Sequence, residues 1–207
     1  MDLFEGVITG LGFASGDAVV VGTWARSPFG RVVDVMWRRA DGRRVLLAPD
    51  DAVASYVADL YDFDEVAVVA ISGGLCGAQL SVRAEPLAIR AEVAPADWRS
   101  WVFALRPRAL RRSPAWIRIE DVLARPVVGR LLGGGEGVRA AGVAPGGQAE
   151  VYGADDWRRI RRASLRVDGR DAGPLSDLPA DFGVGLSAFP TVPASVWVGT
   201  QIDQRRR

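Results

Sequence analysis

Residues 32–49 read VVDVMWRRADGRRVLLAP, and two apolar runs separated by an arginine-rich Asp41-Gly42 pair mark a β-hairpin. A two-residue loop at Asp41-Gly42 sets Trp37 opposite Leu46, Met36 opposite Leu47 and Arg39 opposite Arg44. Apolar residues then fall on both faces of each strand. The sequence therefore predicts a hairpin covered on both sides, with its arginines gathered at a solvated tip. A tip in water accounts for the arginine cluster without a ligand. Single-stranded nucleic-acid binders interleave several aromatics for base stacking, and only Trp37 is near.

Working outward, LFEGVIT alternates, placing Phe4, Gly6 and Ile8 on one side, and DAVVVGTW is β-branched. Asp50 is an N-cap for a short helix with Val53, Tyr56, Val57 and Leu60 at helical spacing. Strands follow at Val66–Ser72, Gln79–Ala84 and Leu87–Val93. Asp97 then starts a helix bearing Trp98, Trp101, Val102 and Leu105, and Ser113-Pro114 starts a second with Trp116. Together they predict a helical hairpin inserted at about residues 96–132. The glycine-rich stretch 133–148 reads as a loop, and strands resume near 148–152, 160–167, 184–189 and 195–202.

Composition narrows the chemistry. The chain has 207 residues, 49% hydrophobic and 25% charged, as expected of an ordered globular protein. No apolar run approaches the roughly 18 residues of a membrane span, and MDLFEG does not resemble a signal peptide, so the expected location is cytoplasmic. All 26 basic residues are arginine, and lysine, histidine and asparagine are absent, a pattern of high-GC bacterial genomes. Schiff-base lysines, histidine-based triads and His-ligated zinc are therefore excluded. Cys76 is the sole cysteine, which excludes an internal disulfide and a thiolate metal cluster. We expect no cofactor and no metal site. Charge is uneven: residues 1–97 hold 8 arginines against 14 acids, and residues 98–207 hold 18 against 11.

Several local patterns bear on function. Gly10, Gly12 and Gly16 in TGLGFASG superficially match a dinucleotide loop, but a strand follows where that motif needs a helix, so they read as a turn. Cys76 reads as structural, and the acids Asp59, Asp62, Asp64 and Glu65 as a solvated loop. YGADDW supplies Tyr152, Asp155 and Asp156, weak catalytic candidates within an arginine-carboxylate lattice.

SPFG at 27–30, LLAP at 46–49, YDFDEV at 61–66 and YGADD at 152–156 together resemble a family of hypothetical proteins of high-GC bacteria. That resemblance spans nearly the whole chain and implies one ordered unit, with no activity attached. SPFGRVVD followed by successive strands also resembles the acetoacetate-decarboxylase-like barrels over about a quarter of the chain. It implies barrel shape alone, because their Schiff-base lysine has no counterpart here.

The resulting expectation is an α+β fold forming a single domain over residues 1–207. Its mostly antiparallel, strongly curved sheet or partial β-barrel carries one short helix and the inserted helical hairpin. The favoured function is binding a small apolar or anionic ligand in a barrel-type pocket. Trp98, Trp101 and Trp116 are its expected walls, and Arg159 or Arg161 its anion clamp. One alternative is an enzyme using Asp, Tyr and Arg chemistry, a class the composition does not favour. The other is an interaction module for an anionic surface; nucleic acid is disfavoured, and a homo-oligomer is compatible with the composition.

Overall fold

The computed structural model describes residues 2–104, 141–143, 149–184 and 190–203. Thirteen strands form one curled mixed sheet, a half-barrel, with two short helices. The fold is thus closer to all-β than to the α+β class expected. Most of the expected helical hairpin, including Trp116, lies outside the described residues, as does most of the glycine-rich stretch.

Strands β1 (Asp2–Phe13), β2 (Ala18–Arg26), β3 (Val32–Arg38) and β4 (Arg44–Ala48) form an antiparallel meander. Side chains alternate across it, and both faces are apolar, as the hairpin pattern predicts. Phe4, Ile8, Val20, Met36 and Leu46 share one face. Helix α1 (Asp51–Ala58) covers them with Val53, Ala54 and Val57, and Leu178, Phe182 and Val184 complete the layer. Asp50 caps α1 as expected, its carboxylate accepting the Val53 N–H at 2.9 Å.

The opposite face carries Leu11, Val19, Val21, Val35, Trp37 and Leu47. Strands β7 (Gln79–Ala84), β8 (Leu87–Val93) and the second half of β10 (Ala149–Val167) fold back onto it with Leu80, Val82, Ile89 and Leu165. Full burial of each such side chain contributes about 1.5–3 kcal/mol.

The first hairpin departs from the expected register by one residue. Met36 pairs with Leu46, Trp37 with Val45 and Arg38 with Arg44. The Arg39 N–H donates to the Arg43 carbonyl at 2.8 Å, so residues 40–42 form a three-residue loop in which Gly42 takes the left-handed conformation (φ +89°). The two-residue Asp-Gly turn occurs instead at Asp168-Gly169, where φ is +50° and +75° and Val167 pairs with Arg170 of β11 (Arg170–Asp171).

Two strand assignments also change. The segment 66–72 divides into β5 (Glu65–Val68) and β6 (Ile71–Cys76). β5 pairs with β4 in the one parallel ladder among the described strands, whereas β6 pairs with β7 at the other end of the sheet order. Only two residues join these opposite edges, which requires the sheet to curl. Conversely, the strands expected at 148–152 and 160–167 merge into the 19-residue β10. Its first part pairs with β13 (Ala194–Asp203) and its last part with β8, with register shifts at 154/156 and 160/162. Such bulges bend a strand, and here β10 turns from one layer into the other. Short β9 (Ala141–Val143) pairs with β10, and β12 (Leu175–Ser176) with β1.

Candidate functional site

Between α1 and the β1–β3 face lies a cavity of about 50 Å³. Phe4 and Ile8 of β1, Val20 and Trp24 of β2, and Val32 and Met36 of β3 line the sheet side. Val53, Tyr56 and Val57 of α1, with Leu60 and Tyr61 after it, line the roof, and Phe29 enters from the β2–β3 turn. The aromatics touch one another: Phe4 lies 5.4 Å from both Trp24 and Tyr56, and Phe29 lies 5.3 Å from Tyr56 (ring centroids). Trp24, Phe29 and Tyr56 are only half-buried, and they mark the mouth. Ser27 shapes the turn that carries Phe29, its hydroxyl accepting the Phe29 N–H at 3.1 Å and donating to the Gly30 carbonyl at 2.8 Å.

Two polar side chains interrupt this lining. Asp34 sits in the middle of β3, on the face shared by Val32 and Met36, and is 5% exposed. Its Oδ1 accepts the Trp24 indole N–H at 2.7 Å. Burial pushes the carboxyl up from 3.8 to about 6, opposed by the Trp24 hydrogen bond and one from its own backbone amide. Among the described residues no arginine pairs with it, and no basic residue lines the cavity. Gly22, directly across from Asp34 on β2, makes the arrangement sterically feasible: a Cβ there would stand 2.5 Å from both Asp34 Oδ1 and Trp24 Nε1.

Thr200 of β13 is the second polar lining group, and its buried hydroxyl has no hydrogen-bond partner among the described residues. It pairs with Phe4, three strands from Asp34 in the sheet order and four residues along β13 from Val196, the position level with Asp34, so the two groups are offset both across and along the sheet. A mostly apolar pocket holding a buried carboxyl and an unsatisfied hydroxyl has the composition of a ligand site.

The residues singled out from sequence lie elsewhere. Trp98 and Trp101 sit on α2 (Trp98–Ala104) and are 52% and 73% exposed. Arg159 and Arg161 are exposed on β10, Arg161 pairing with Glu92 at 3.2 Å. Asp155 and Asp156 occupy the β10 bulge. Asp156 accepts the Trp157 N–H at 2.8 Å and Arg158 Nε at 2.7 Å, and the Arg158 guanidinium lies 4.8 Å from the Trp197 ring centre. This fragment of the expected lattice braces a bend. The Tyr152 side chain lies outside the described residues. Among the described residues, none of these candidates lines the cavity under α1.

Three of the four arginines of the first hairpin tip, Arg39, Arg43 and Arg44, are engaged. Arg44 makes a bidentate pair with Asp64 and donates to the Gly183 carbonyl at 2.8 Å. Arg43 pairs with Glu65, and Arg39 stacks 5.1 Å over Trp37. Asp64 is thereby the acid most strongly held in its ionised form, the Arg44 hydrogen bonds keeping its carboxyl well below the usual range. Cys76 is exposed, and among the described residues no group of three or more metal-ligating side chains occurs. No described helix is long and apolar enough to cross a membrane. No protein-family model and no curated protein matches the chain.

Proposed function

We propose that the protein binds a small, largely apolar molecule in the pocket between α1 and the β1–β3 face. The observation that carries this reading is the buried Asp34 carboxyl inside an apolar cavity, joined in the lining by the Thr200 hydroxyl, which has no partner among the described residues. A core selected for stability alone gains nothing from either group, because each buried polar group without full compensation costs about 1–3 kcal/mol. The cavity is about a third of the ~150 Å³ that accommodates benzene, so it suits the head of a ligand whose remainder leaves through the mouth at Trp24, Phe29 and Tyr56.

Native mass spectrometry of gently purified protein tests the proposal, alongside thermal melting in millimolar n-butanol. A mass excess that disappears on denaturation, or a raised melting temperature that is abolished by filling the pocket with Val57→Trp, supports it. A bare chain mass together with no n-butanol response overturns it.

A second reading rests on the outer face of β7, β8 and β10. Arg83, Arg90, Arg162 and Arg166 are exposed there, interspersed with Ser81 and Ser164, and none has an ion-pair partner among the described residues. Such a face favours an anionic surface, whose binding weakens steeply with salt. Replacing all four by glutamine should lower the salt concentration that elutes the protein from heparin. Unchanged elution disposes of this reading.

A further inference from the structure

We propose that the ligand of the α1 pocket carries a protonated amine that seats against the Asp34 carboxylate, with aromatic rings around its alkyl stem. This deepens the pocket reading above and rests on it.

Among the described residues no arginine lines this cavity, and the only side chain that donates to Asp34 is the neutral Trp24 indole. A buried carboxylate is stable when a cation compensates its lost hydration. Among the described residues, none supplies that cation. An anionic ligand would meet repulsion, and an alcohol could offer Asp34 a single neutral hydrogen bond. An ammonium offers charge-assisted hydrogen bonds to an ionised partner, roughly twice as strong.

The walls fit the same guest. Phe4, Trp24, Phe29 and Tyr56 form a contiguous aromatic group, and ring faces attract cations, most strongly when water is excluded. Gly22 holds the floor open beside the carboxylate, where any side chain would displace the Asp34–Trp24 pair. The other titratable groups facing the cavity are the phenols of Tyr56 and Tyr61 on and after α1; β1, β2 and β13 place no charged group in its lining. At pH 8 the Asp34 carboxyl lies above its value of about 6 and is ionised, while an alkylamine, like the lysine side chain with its value near ~10.4, is protonated.

The test compares three probes of matched shape, n-butylammonium, n-butanol and n-butyrate, by calorimetric titration of the full chain at pH 8 and constant ionic strength. We expect the amine to bind at least about tenfold more tightly than the alcohol, and butyrate not to bind. Asp34→Asn should erase the amine's advantage over n-butanol. The wild-type protein provides a control that needs no variant: at pH 5, with the carboxyl protonated, the amine's advantage should collapse. Equal binding of amine and alcohol at pH 8, or an advantage that survives both Asp34→Asn and pH 5, overturns the proposal while leaving the pocket reading intact. Failure of all three probes to bind overturns the pocket reading itself.

Discussion

Asp34→Asn should reverse sign in its effect on stability between acid and neutral pH. In the unfolded chain the carboxyl has its ordinary value of 3.8, and in the fold burial raises it to about 6. The folded state therefore binds the proton more tightly, and stability falls as pH rises between these two values. A difference of this size at ~1.4 kcal/mol per tenfold corresponds to about 3 kcal/mol, fully present below pH 3.8 and lost once pH passes about 6. Asparagine is nearly isosteric, offers the same oxygen to Trp24 and does not titrate. Urea unfolding of both proteins from pH 4 to pH 8 should show the variant equal to or slightly weaker than wild type in acid. At pH 8, without ligand, it should be more stable by up to about 3 kcal/mol. Taking the difference between proteins cancels every other titrating group, including Asp64, whose opposite shift contributes stability that is lost as pH falls. A difference that stays constant across the range would refute the buried, uncompensated carboxyl on which the pocket argument stands.

Gly22→Ala places a methyl group against Asp34 Oδ1 and Trp24 Nε1, and should destabilise by about 1–3 kcal/mol in thermal or urea unfolding while weakening n-butanol binding. Arg44→Ala removes the bidentate partner of Asp64 and the donor to the Gly183 carbonyl. Amide exchange should therefore accelerate at Asp62, whose N–H bonds the Val184 carbonyl. Leu165→Ala, at a fully buried position between the two curled layers, should cost about 2–5 kcal/mol in urea unfolding.

The meander and its helix were legible because their signals are local. Alternation over VVDVMW and RVLLA determines which side chains share a face, and Asp50 with Val53 and Val57 marks helix α1. The register slip at Asp41-Gly42 was not, because the same dipeptide serves a two-residue turn at 168–169 and a three-residue loop here. Asp17 influences this choice from the β1–β2 turn, its carboxylate accepting Trp37 Nε1 at 2.9 Å and the Ala40 N–H at 3.3 Å. The division of 66–72 between opposite sheet edges likewise depends on distant partners, which a run of valines does not encode.

The candidate site escaped notice for a related reason. Tryptophan and arginine are signals of an apolar wall and an anion clamp and point to α2 and β10, whereas the informative residue is an acid within an apolar strand. A signal was present. In VVDVMW, Asp34 falls in phase with Val32 and Met36, and if both faces of that hairpin are covered, its carboxyl must be buried. What alternation could not supply was Gly22, which becomes Asp34's neighbour only once β2 and β3 are in register.

The position of β13 bears on how the protein comes to be assembled. This strand is the last described in the chain, yet it lies mid-sheet, joining β1 on one side to β10 on the other. During synthesis the β1–β4 meander can zip up early, but Ile8 must wait for Val196 before its second flank is paired. Pairings so far apart in sequence slow folding and leave β1 exposed to other chains in the interval. A nascent or truncated chain lacking residues 194–203 would be missing a seam rather than an edge, and its two halves would each present an open strand to the cell.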